Sequence, residues 1–240
     1  MAGPILSFRA ALLAAGRPLV GAHRGASADR PENTVAAFAA AADQGADFWE
    51  FDVRLSADGV PVVIHDATID RTTGGHGPVY SMTAAMLESY GVPALATVLA
   101  LGAGRLYNVE LKPDGDGGAL ALAATTVIGA LRLEERVLVS SFDHDVLPLV
   151  KALSPALLTG LLYEERLADP VARARAVGAD ALHPYFRFAD ARLVNTAGDA
   201  GLAIIPWTVD RPLYLRYFAA IGAAGIITNR PGRAVAEIRR

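Results

Sequence analysis

The sequence predicts an α/β protein folded as a (β/α)8 barrel, the TIM-barrel architecture, and three observations carry that reading. Short β-branched or aliphatic runs alternate with Ala-rich helical stretches along the whole chain, the pattern of parallel strands joined by crossover helices. Two of the nine strand-like runs, Phe48–Arg54 and Val60–His65, are separated only by Leu55-Ser56-Ala57-Asp58-Gly59, where Asp-Gly signals a tight turn. Counting that hairpin once leaves the eight strands a closed barrel needs. No Gly-x-Gly-x-x-Gly loop follows the first strand, which disfavours an open, doubly wound nucleotide-binding sheet.

In chain order the expected strands are Leu19–His23, the hairpin pair, Leu106–Leu111, Val137–Ser140, Leu157–Leu162, Ala181–His183, Ala203–Trp207 and Gly225–Thr228. Helical stretches are expected over Asn33–Gln44, Ala119–Leu131, Asp143–Leu153, Pro170–Val177, Ala189–Ala200, Arg211–Ile221 and Pro231–Arg239. The segment Ala67–Arg105 breaks the rhythm with a Gly-rich loop, a short helical piece near Thr83–Glu88 and the stretch from Pro93 to Leu101. A connection that long is read as a small insertion near the site. With no internal repeat or linker, residues 1–240 are read as one domain.

Composition excludes several classes of function. The chain is 52% apolar and 20% charged, which excludes disorder. A net charge of −3 gives no basic footing for nucleic acid. Without Cys there is no disulfide, thiolate metal site or thiol nucleophile. The stretch Ala10–Ala15 is too short for a secretory leader, and no apolar run is long enough to span a bilayer. A cytoplasmic protein acting on a small molecule is expected, with no transmembrane segment and its oligomeric state open.

In a barrel the chemistry collects at the carboxyl ends of the strands. His23-Arg24 ends the first strand there, Glu50 and Asp52 the second, His65-Asp66 the hairpin return, and Glu110 and Lys112 the next. Glu50 and Asp52 lie two apart, so they share a face. With Glu110 they make an oxygen-rich site for a hard divalent cation such as Mg²⁺ or Ca²⁺, or, alternatively, a salt-bridge network with Lys112 and Arg24. His23 and His65 are the candidate proton-transfer pair, although a lone His after a strand is commonly only packed or capping. Arg24 and Lys112 offer positive charge to an anionic substrate. Trp207 is a possible binding wall. Ser141 and Asp143 are read as caps for the following helix, His183 as part of a strand-to-loop turn, and His76 and His144 as solvent-facing.

The ordered set of motifs closely resembles the glycerophosphodiester phosphodiesterase family. It comprises His23-Arg24-Gly25, Pro31-Glu32-Asn33-Thr34, Glu50-Phe51-Asp52-Val53, Pro61-Val62-Val63-Ile64-His65-Asp66 and Arg71-Thr72-Thr73. Val109-Glu110-Leu111-Lys112, Ser140-Ser141-Phe142, Trp207-Thr208-Val209 and Gly225-Ile226-Ile227-Thr228 complete it. The resemblance spans about residues 19–231 and implies cleavage of a glycerophosphodiester to glycerol 3-phosphate and an alcohol. By position it implies Glu50, Asp52 and Glu110 as metal ligands, His23 and His65 as general acid and base, Arg24 and Lys112 as phosphate-holding residues, and Trp207 beside the substrate pocket. Four positions depart from the family pattern: Gly74 and Asp210 stand where Asn is usual, and Ala224 and Asn229 where Asp is common. Rival readings are lysophospholipase D-type cleavage of a lysolipid, a non-catalytic metal- or phosphate-binding barrel, and a metal-dependent sugar isomerase.

Overall fold

The structure is a computed structural model, and it describes residues 7–14, 16–102 and 104–239. Ala15 of the leader-like stretch, Ala103 of the insertion and the extreme ends of the domain assignment lie outside them. Helix α1 (Phe8–Ala14) precedes β1 (Leu19–His23), α2 (Val35–Asp43), β2 (Phe48–Leu55) and β3 (Pro61–Val63). The insertion holds α3 (Ala84–Ser89) and α4 (Leu95–Leu101) before β4 (Leu106–Leu111). Alternation then runs through α5 (Gly117–Ala130), β5 (Val137–Ser141), α6 (Val146–Leu153), β6 (Leu158–Tyr163), α7 (Pro170–Ala176) and β7 (Ala181–Pro184). It finishes with α8 (Ala191–Asp199), β8 (Ala203–Ile204), α9 (Pro212–Ala220), β9 (Gly225–Thr228) and α10 (Pro231–Ile238). No helix among the described residues is long and apolar enough to cross a membrane.

The strands lie side by side in the order β8-β7-β6-β5-β4-β2-β1-β9, all parallel, with β3 attached antiparallel to β2 alone. The ring is completed beyond the regular strands, where Ala224 N donates to Ile204 O at 2.9 Å and Ile227 N to Pro206 O at 3.0 Å. The eightfold barrel with a hairpin on its second strand is therefore as the sequence predicts. Gly59, at φ 75°, makes the hairpin turn, and Ser56 N closes it by donating to Val60 O at 3.0 Å.

Some boundaries differ from expectation, for local reasons. The hairpin return ends at Val63, so His65 sits in the loop beyond, where its carbonyl accepts from Arg54 Nε at 2.8 Å. Regular strand β8 is short, yet its pairing with β7 runs on beyond Ile204: Ile205 N donates to Leu182 O at 2.9 Å and Trp207 N to Pro184 O at 3.1 Å. Helix α6 starts at Val146, after two local bonds: Asp143 N donates to Ser141 Oγ and Asp145 N to Asp143 Oδ1. Ser141 and Asp143 therefore shape the turn rather than cap the helix.

Strand parity divides the barrel interior into two ends. At the amino end Leu19, Phe48, Leu106, Leu138, Leu158, Ala181 and Ile227 pack together, closed from below by Phe8 of α1. Phe8 meets Phe48 with ring centroids 5.3 Å apart. A Cβ on Gly21 would lie 2.2 Å from the Phe48 ring, so the glycine is what lets that ring fill the barrel. The apolar plug leaves the polar inward residues to gather at the carboxyl end. Replacing the buried Phe8 with Ala should cost about 3–5 kcal/mol of folding stability, the usual scale for a buried aromatic. Urea titration measures this, and an unchanged midpoint contradicts the plug.

Candidate active site at the barrel mouth

Parallel register assembles the acidic cluster. His23 pairs with Glu50 across β1 and β2, and Asp52 with Glu110 across β2 and β4. All three carboxylates are buried, Asp52 completely, and one oxygen from each lies within 4.8 Å of the others. Lys112, just past β4, hydrogen-bonds Glu110 and lies 3.4 Å from Asp52 Oδ1. A cleft of about 320 Å³ at the mouth is lined by His23, Arg24, Glu50, His65, Glu110, Lys112 and Trp207, seven of the eight residues expected from the sequence. The eighth, Asp52, lies beneath, bonded to Arg24. A larger cleft of about 570 Å³ opens among Arg166, Arg187 and Arg192 and contains none of the eight.

Arg24 reaches this position by an uncommon backbone turn. Its φ is 55°, and its Nε lies 3.1 Å from Asp52 Oδ2 while Nη1 bonds Glu32 Oε1 at 2.9 Å. A left-handed non-glycine residue costs energy that the two carboxylates offset. Gly25 follows at φ 81°, where a Cβ would lie 2.6 Å from the Ala37 backbone, so no side chain fits. The Glu32-Asn33-Thr34 stretch has three separate uses. Glu32 joins Arg24 to Arg71, Asn33 Nδ2 donates to Asp52 Oδ2 at 2.9 Å, and Thr34 caps α2. Arg71 also grips Asp66, whose Oδ1 lies 2.7 Å from His65 Nδ1. An ion-pair chain thus runs from Arg24 through the insertion to His65.

Burial, together with the crowding of like charge, governs the electrostatics. Burial, then Asp52 and Glu110, push the Glu50 carboxyl well above the usual range. Burial and Asp52 likewise push Glu110 up to about 7 against the pull of Lys112. Burial raises Asp52 too, yet Arg24, Lys112, His65 and Asn33 hold it below its ordinary value. His23 is lowered to about 4 by burial and by Arg24, and His65 is lowered chiefly by burial, partly offset by Asp52 and Asp66. The donor set fits a hard divalent cation: every ligand atom is a carboxylate oxygen, and buried Asp52 Oδ1 takes no hydrogen bond among the described residues. A cation there would relieve the repulsion that raises Glu50 and Glu110.

The opposite side of the mouth is aromatic. Trp207 stands edge-on to Phe142 at 5.4 Å and to Tyr185 at 5.7 Å, and its Nε1 donates to His183 O at 2.9 Å. His183 lies in β7 as expected and is fully buried, its pKa lowered to about 3 by burial, and the turn begins only after Pro184. One expectation is corrected. His144 is half-buried and tied down, its Nε2 bonded to Leu162 O at 2.8 Å, while His76 is solvent-exposed as expected. Sequence reasoning placed Asp66 at the mouth without a role, and it missed Asn33, Arg71, Asp210 and Asn229 as site neighbours. The motifs containing Asn33, Asp66 and Arg71 were the available signal. Asp210 and Asn229, two departures from the family pattern, bond each other, and Asn229 Oδ1 lies 2.7 Å from His23 Nδ1.

Comparison with known proteins gives a consistent result. The sequence model of the glycerophosphoryl diester phosphodiesterase family matches residues 23–233. A glycerophosphodiester phosphodiesterase of Caldanaerobacter subterraneus subsp. tengcongensis is 37% identical, covering 93% of this chain and 99% of the relative. A probable glycerophosphodiester phosphodiesterase 1 of Mycobacterium tuberculosis is 35% identical, covering 91% and 92%. Among solved structures, an Oleispira antarctica phosphodiesterase in complex with the product sn-glycerol-3-phosphate superposes with a TM-score of 0.84 at 27% identity, covering 93% of this chain and 97% of that one. A putative glycerophosphoryl diester phosphodiesterase of Silicibacter pomeroyi gives 0.85 at 27% identity, covering 95% and 96%.

The ion-pair chain makes a pH prediction. Arg71 helps hold Asp66 and Glu32 below their ordinary pKa, so their stabilisation is present above the unfolded carboxylate value of about 4 and is lost as pH falls through the folded values. The stability gap between the natural chain and Arg71→Gln should be full near neutrality and shrink in acid. Thermal melts across that range measure it. A gap independent of pH rules the coupling out.

Proposed function

We infer the chemistry from a single premise: this chain belongs to the glycerophosphoryl diester phosphodiesterase family. It is a glycerophosphodiester phosphodiesterase, a hydrolase that releases glycerol 3-phosphate and an alcohol. The observation that carries the reading further is the meeting of Glu50, Glu110, two imidazoles, Arg24 and Lys112 in one cleft, with the buried Asp52 carboxylate clustered against the two glutamates.

In this reading Glu50, Asp52 and Glu110 would hold a divalent cation, Mg²⁺ or Ca²⁺. When bound, it supplies Lewis-acid polarisation of a phosphoryl oxygen and balances the charge that grows during displacement. Arg24 presents a planar fork to the phosphate, and Lys112 a compact charge. Both already face carboxylates, so an anion enters a mouth whose cations are held in place. One imidazole, at Nε2, takes the proton of the attacking oxygen. The other gives its proton to the departing alkoxide, so the charge on each oxygen is relieved as its bond to phosphorus forms or breaks. Trp207 walls the cleft on the aromatic side. The exposed Tyr80, Met86 and Tyr90 of the insertion are the surface a lysolipid would use. Comparing turnover of short glycerophosphodiesters with lysolipids separates the two substrate classes.

Two experiments test these roles. Replacing His23 or His65 with Ala should lower turnover by roughly 10²–10⁴-fold with the fold retained by circular dichroism. If both variants hydrolyse glycerophosphodiesters at near natural rates, the imidazoles are not the proton carriers. Chelation of divalent ions should abolish turnover, and added Mg²⁺ or Ca²⁺ should restore it. Turnover that persists in excess chelator excludes the cation from the reaction.

A further inference from the structure

Asp210 follows the Trp207-Thr208-Val209 stretch, and Asn229 lies one residue beyond β9. Asp210 Oδ1 accepts from Thr228 Oγ1 and from Asn229 N, both at 2.8 Å, and Oδ2 accepts from Asn229 Nδ2 at 2.7 Å. A carboxylate has no hydrogen to give, so the amide of Asn229 must turn its nitrogen toward Asp210. Its Oδ1 then faces the barrel mouth, where it receives Ser27 Oγ at 2.9 Å and stands 2.7 Å from His23 Nδ1. An amide oxygen only accepts. The hydrogen in that contact therefore sits on His23 Nδ1, and the lone pair on Nε2, the ring nitrogen 4.0 Å from Glu50 Oε2.

We propose that Asp210 and Asn229 are positioning residues for the reaction, a donor–acceptor chain that holds His23 in its Nδ1–H tautomer with Nε2 turned to the mouth. The inference rests on the proton-transfer role given to His23 above. The direction of the chain is set at Asp210, which accepts three hydrogen bonds and so fixes the sense of every bond up to the imidazole. His65 is backed differently, by the Asp66 carboxylate that Arg71 holds, yet the same donor accounting places hydrogen on its Nδ1. Both rings thus turn Nε2 to the mouth, the one acting as base with a lone pair there and the one acting as acid carrying a second proton on it, and only the nature of the group behind them differs.

Long-range proton–nitrogen NMR of the full chain with labelled histidine tests the proposal, with the His23 signals assigned by their loss in His23→Gln. The natural chain should show His23 as the Nδ1–H form near neutral pH. Asn229→Leu, which keeps the bulk and removes the acceptor, should shift His23 toward Nε2–H. It should also lower kcat by about 10–100-fold, the scale for losing a group that orients a catalytic ligand, with KM little changed. The exchange Asp210→Asn with Asn229→Asp rebuilds an acceptor next to Nδ1 and should recover both the tautomer and most of kcat, which a merely structural defect would not allow. A natural chain showing Nε2–H at His23 overturns the proposal. So does a fall in kcat of Asn229→Leu with the tautomer unchanged. Full activity in His23→Ala would instead remove the catalytic role of His23 while leaving the tautomer readout intact, so the two failures are distinguishable.

Discussion

Charge balance at the barrel mouth is the constraint on which the rest of the structure depends. Glu50, Asp52 and Glu110 are buried together, and an unpaired carboxylate in such surroundings is expensive. Burial raises all three, the neighbouring carboxylates raise Glu50 and Glu110 further, and Arg24 and Lys112 help bring Asp52 alone below its ordinary value. The surrounding polar residues serve that balance. Asn33 donates to Asp52, Glu32 holds Arg24 in place, and the backbone of Arg24 itself donates to Glu50 Oε2 at 3.0 Å. A divalent cation would offset the negative charge that the protein's own cations leave unbalanced among the three carboxylates.

The barrel makes this arrangement affordable by segregating its interior. Phe8, Phe48, Leu138 and Ile227 fill the amino end, so hydrophobic burial stabilises the same strands whose carboxyl ends carry the charged groups. Rigid strands then set the spacing of the acidic residues, and loops add the adaptable groups. His65 arrives on the loop after β3, held by Arg54, and Arg71 reaches back from the insertion to orient Asp66 behind it. Loop residues here do not float. His65 is tied to Arg54 of β2, and Arg71 to Glu32 and Asp66, by charge-assisted bonds.

How much was legible in the sequence follows from this division of labour. Period-two alternation put Glu50 and Asp52 on one face, and the Asp58-Gly59 turn exposed the hairpin, because both depend only on neighbours in the chain. The eight site residues are on strands or beside them, so parity and order were enough to propose that they meet. The roles of Asn33, Asp210 and Asn229 were hidden because their partners meet only in the fold: Asn33 bonds Asp52 19 positions away, and Asn229 contacts His23 from 206 positions away. Helix α1 was not foreseen either, since its Ala-rich sequence gives no sign that Phe8 enters the barrel. The strand ending at His183 runs one residue further than expected, because a His-Pro pair looks like a turn whereas the parallel pairing of β6 and β7 carries the strand through Pro184.

Anomalous diffraction from a crystal soaked in Mn²⁺, a stand-in for the lighter divalent ions, addresses the acidic cluster directly. The account requires one strong peak at the mouth, with oxygens of Glu50, Asp52 and Glu110 all at about 2.0–2.6 Å, the range for hard cations with oxygen ligands. A peak bound elsewhere, or none among these three carboxylates at saturating ion, would contradict it.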